Sequence, residues 1–123
     1  LLLDRGSDVN GKDASGATSL IAAVEQGNES LVELLLKRGA NPNMKNRHGD
    51  TPLMLAAGKG RVRVVKALLN AGADPREVND EGRTALNQVF ASGPTLFVPV
   101  QACREIVRLI REQEERQALA RGR

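Results

Sequence analysis

Residues 49–75 read GDTPLMLAAGKGRVRVVKALLNAGADP. Two short apolar runs at helical spacing, PLMLAAGK and RVRVVKALLNA, meet at Gly60. Thr51 suits an N-cap, and Pro52 suits the first helical position, where its missing N–H costs nothing. Gly72 stands where a left-handed residue would end the second helix. Neither helix can bury its own apolar face, so the unit must stack on neighbours.

The neighbours are present in the sequence. Gly16, Gly49 and Gly82 are 33 residues apart, as are Thr18, Thr51 and Thr84. Leu20, Leu53 and Leu86 keep the same step, and so do Asp8, Asn41 and Asp74. The turns DASG, NRHG and NDEG each place Asp or Asn three residues before Gly, a turn signal. Ala22-Ala23 and Ala56-Ala57 are small enough to let paired helices approach closely.

A 33-residue period with this unit resembles the ankyrin repeat. The resemblance implies an all-α solenoid of stacked helix-turn-helix units with short β-turn fingers. It divides the chain into the tail of a truncated repeat (1–11), repeats at 12–44 and 45–77, and a modified C-terminal capping repeat at 78–111. A charged helical tail is expected at 112–123. The chain opens on LLLDRG without Met, and residues 1–3 read as the end of a second helix, so the expectation is the C-terminal part of a longer array. The family's usual His after TPL is replaced by Ile21, Met54 and Asn87.

The period fails once. Val64-Val65 corresponds to Ile106-Val107 at a step of 42, nine more than 33, which places an insertion at 94–102. Both Phe residues of the chain, its one Cys and two of its five Pro lie between positions 90 and 103. Val89-Phe90 replaces the Ala pair, so bulk between the helices is expected to push the second one outward. Lengthening the connection costs roughly 1–2 kcal/mol of closure entropy. Burying Leu96, Phe97 or Val98 returns about 1.5–3 kcal/mol each. The loop is therefore expected to dock, either capping the stack or gripping a partner. Arg111 occupies the register of Leu36 and Leu69, which suits an array that ends there.

Composition narrows the function. The chain has 123 residues, a formal charge of +3, one Cys and one His. Residues 45–77 hold seven Lys or Arg against three Asp or Glu, so the basic character belongs mainly to one repeat. An intramolecular disulfide and a multi-Cys zinc site are excluded. No catalytic residues are expected: His48 lies in a turn and Cys103 on a distant helix, too far apart for a nucleophile–base pair. GKG at 58–60 lacks the spacing and Ser/Thr of a phosphate loop. No cofactor and no metal are expected. Lys59, Arg61, Arg63 and Lys66 form a basic group, but no aromatics interleave to stack bases, which argues against nucleic acid.

What remains is binding. By resemblance, the turn tips and first helices line a concave surface that commonly holds proteins. Carried over by register, its residues are Ala14, Ser15, Ala17, Glu25 and Gln26; then Arg47, His48, Asp50, Gly58 and Lys59; then Asp80, Glu81, Arg83, Ala91 and Ser92. The mixed charge suits a protein segment with a carboxylate opposite Arg47. The expectation is an intracellular, monomeric, non-catalytic protein-interaction module with no small-molecule substrate and no membrane span. Two alternatives stand beside it: a regulatory or targeting domain of a larger enzyme, and a structural C-terminal cap. Resemblance also implies a substrate for an asparaginyl hydroxylase, with Asn10 in LLDRGSDVN the better match and Asn43 the weaker.

Overall fold

A computed structural model describes residues 11–12, 16–92 and 100–121. Within them the order is α1 (Ser19–Gln26), α2 (Glu29–Lys37), α3 (Pro52–Gly58), α4 (Val62–Asn70), α5 (Ala85–Ser92) and α6 (Val100–Arg121), with no strand among the described residues. The helices pair as α1 with α2, α3 with α4 and α5 with α6. Each pair stacks on the next: α3 packs between α1 and α5, and α4 between α2 and α6. The molecule is an all-α helical repeat stack.

Local chemistry sets the helix starts. The Thr18 hydroxyl accepts from the Ile21 amide at 3.2 Å, and the Thr51 hydroxyl from the Met54 amide at 3.3 Å. Asn28 caps α2 through its side-chain oxygen, which accepts from Leu31 at 3.1 Å. At α5 the capping is reciprocal. The Thr84 hydroxyl accepts from the Asn87 amide, while the Asn87 side chain accepts from the Thr84 amide at 3.0 Å. That is the capping-box arrangement with Asn in the place of Glu or Gln. A departure from the family pattern thus becomes a cap.

The core is a ladder of aliphatic layers. Leu20, Val24, Val32 and Leu35 form one layer, Leu53, Ala56, Val64 and Leu68 the next, and Ala85, Val89, Ile106 and Ile110 the last, all buried. Ala56 and Ala57 are fully enclosed, consistent with close helix approach. Polar stitching joins the layers: the Asn43 side chain donates to the Gly72 carbonyl at 3.2 Å and accepts from the Asp74 amide at 2.8 Å. Lys45 donates to the Val78 carbonyl at 2.8 Å and pairs with Glu77 at 3.3 Å.

α6 begins at Val100, so residues 100–102 of the expected insertion at 94–102 are helical. Of the Val89-Phe90 pair expected to fill the space between the helices, Val89 is buried, whereas Phe90 is 60% exposed. Residues 112–114 are half-buried, and Arg76 donates to the Glu114 carbonyl at 3.3 Å, anchoring the start of the expected tail. Leu96, Phe97, Val98 and Asn10 lie outside the described residues.

Candidate functional site: the finger and inner-helix surface

The two described fingers, at 46–50 and 79–83, are each built on one Asn. The Asn46 side-chain oxygen accepts from the amides of His48 at 2.9 Å and Asp50 at 3.0 Å, closing the turn that presents Arg47 and His48. Asn79 repeats the device 33 residues on, accepting from Glu81 at 2.9 Å and Arg83 at 3.0 Å. Its amide nitrogen reaches back and donates to Asp50 at 2.9 Å. The Asp80 amide donates to the His48 carbonyl at 3.1 Å, so neighbouring fingers are tied side by side.

Gly49 makes that approach possible. Its φ of 78° is left-handed, and a Cβ there would stand 2.8 Å from the Asp80 amide nitrogen. The glycine is required by both its backbone angle and its neighbour.

Two grooves open along this surface. The first, of about 270 Å³, is lined by Ala17, Glu25, Asn46, Arg47 and His48. The second, of about 190 Å³, is lined by Asp50, Met54, Leu55, Gly58, Lys59 and Gln88. Lys59 spans the space between first helices, donating to the Glu25 carbonyl at 3.0 Å. Arg47 and His48 are exposed, and no ion pair engages either among the described residues. The surface therefore offers cations from the middle repeat beside the carboxylates of Glu25 and Asp50.

The residues singled out by register are distributed as follows. Ala17, Glu25, Arg47 and His48 come together in the first groove, Asp50, Gly58 and Lys59 in the second. Gln26 is exposed but lines neither. Asp80, Glu81 and Arg83 sit on the next finger, where Arg83 pairs loosely with Glu81 at 3.9 Å. Ala91 is an exposed residue of α5, and Ser92 ends that helix. Ala14 and Ser15 lie outside the described residues. Gln88 was missed. It stands 33 residues after Leu55, and a polar side chain in the register of a Leu was the available signal.

No group of three or more His, Cys, Asp or Glu among the described residues could hold a metal ion. None of the described helices is long and apolar enough to cross a membrane.

Comparison with protein families gives two matches. A family described as ankyrin repeats in three copies matches residues 32–118, and one described as ankyrin repeats in many copies matches residues 2–53. Comparison with curated proteins returned no match.

Proposed function

This chain belongs to the ankyrin-repeat family, and from that premise we propose that it holds a protein segment of mixed charge across its finger tips and inner helices. Ankyrin repeats are generally protein–protein interaction modules and typically non-catalytic. The observation that carries the reading is the pair of adjoining grooves, with Arg47, His48 and Lys59 set among Glu25 and Asp50. In this reading a partner carboxylate faces Arg47. The module works as a monomer inside a cell, a setting compatible with its single free thiol at Cys103.

Site-specific photo-crosslinking tests it. A photoreactive side chain at Gln88 or Ala17, in the grooves, should capture a partner that the same group at Glu33, on the outer helix α2, does not. Capture from Glu33 with none from Gln88 or Ala17 would move the binding surface to the other side of the stack.

A further inference from the structure

The C-terminal end of the stack carries a groove unlike the two beside the fingers. In the middle repeat Ala57, Val65 and Leu69 are 3%, 0% and 7% exposed. The corresponding residues of the last repeat are Phe90, Val107 and Arg111. Phe90 is 60% exposed, Val107 half-buried and Arg111 exposed. Together with Val100 and Cys103 they line an apolar groove of about 480 Å³ between α5 and α6.

The charges on α6 are sorted. Arg108 is engaged by Glu105 and, at 2.6 Å, by Glu112. Arg104 and Arg111 line the groove, and no ion pair engages either among the described residues. Seven residues apart, they stand about 10 Å from one another along the helix. Beside the neutralised stripe of Glu105, Arg108 and Glu112 runs an apolar stripe edged by Arg104 and Arg111, which have no ion-pair partner among the described residues; Arg104 also borders a groove with Glu105 and Arg108.

We propose that this end groove binds a protein segment carrying an apolar anchor flanked by carboxylates. The charge pattern selects that occupant over two others. Residues 93–99, GPTLFVP, contain no charged side chain and cannot neutralise Arg104 and Arg111 wherever they lie. A second copy docked through the same face would oppose arginines to arginines, an unfavourable juxtaposition. An acidic segment with a Leu or Phe between its carboxylates satisfies both the groove and its rim.

Cys103 gives the test a reporter, because it is the only thiol and it lines the groove. The probes are three synthetic amphipathic helical peptides with one Leu anchor. They are identical except for Glu, Gln or Lys at two flanking positions seven residues apart. Alkylation of Cys103 by iodoacetamide is followed by mass spectrometry. The Glu peptide should slow it by about tenfold at saturation, less so in high salt, and the Lys peptide should not. The double variant R104E/R111E, at exposed sites, should fold normally and reverse the preference. Equal protection by all three peptides, or none by any, overturns the proposal. So does faster alkylation of a peptide-free Leu96→Ser/Phe97→Ser/Val98→Ser variant that keeps the wild-type melting curve, since the chain's own segment would then fill the groove. Protection that rises with protein concentration alone also overturns it, in favour of a second copy.

Discussion

At the residue scale, the fingers depend on positions whose role is geometric. Gly49 and Gly39 share left-handed backbone, with φ of 78° and 89°, but differ in surroundings. A Cβ at Gly39 meets nothing within 4 Å, whereas one at Gly49 meets the Asp80 backbone. Gly39→Ala should therefore cost only the backbone strain, about 1–2 kcal/mol, and Gly49→Ala should cost clearly more. Urea denaturation of the two variants checks the ordering, and equal losses would remove the finger contact from the account. Phe90 makes the opposite case. A core aromatic loses about 3–5 kcal/mol on truncation, but an exposed one should stay within about 0.5 kcal/mol. Phe90→Ser should accordingly melt close to the wild type. The sequence suggested bulk between the helices at Val89-Phe90 because size is visible in a sequence and burial is not; only Val89 of the pair is buried.

At the scale of the element, α6 differs from the other second helices in length and in charge pairing. The hydrogen bond from the Arg108 guanidinium, aided by the nearby charges of Arg108 and Lys66, holds the Glu105 carboxyl below the usual carboxylate range, against a smaller desolvation effect. Because its folded value is depressed, any stability Glu105 contributes is present above its unfolded pKa and lost as pH falls through the folded one. A carboxyl titration by NMR should place Glu105 below an ordinary glutamate, and Arg108→Ala should move it upward. A midpoint unmoved by that substitution would contradict the pairing. Helix starts were readable in advance wherever Thr stood in register. The α6 start was not, because the residues before Val100 carry no Thr, Asn or Asp in that register and the 33-residue period had already failed. The reciprocal cap of Thr84 and Asn87 was hidden for a related reason: Asn87 drew notice as a departure, and its hydrogen bond needs three-dimensional closeness to be seen.

Over the whole molecule, stability in a stack is a sum over neighbouring layers rather than around one centre. The ties between fingers carry part of that coupling. Asn79 closes its own turn and also donates to Asp50, while its side chain is nearly buried. Asn79→Ala should lose about 2–3 kcal/mol, since it leaves Asp50 and two amides to find water. Denaturant melts should show the loss, and a change within about 0.5 kcal/mol would mean that the fingers are independent.

The stack itself was clear from the sequence because the period repeats Gly, Thr and Leu in one register. Groove-lining positions were legible only where register dictates position, as at Arg47, His48 and Lys59. Gln88 escaped because groove lining depends on which repeat-to-repeat gap stays open.

The most direct test of the proposed function is the affinity of the partner captured at the grooves for three chains of matched thermal stability. One is the wild type, one carries Arg47→Glu with Arg83→Glu on the fingers, and one carries Arg63→Glu with Lys66→Glu on the outer helix α4. The finger variant should bind at least about tenfold more weakly, while the outer variant should bind as the wild type does. Loss in the outer variant with the fingers indifferent would contradict the proposed function.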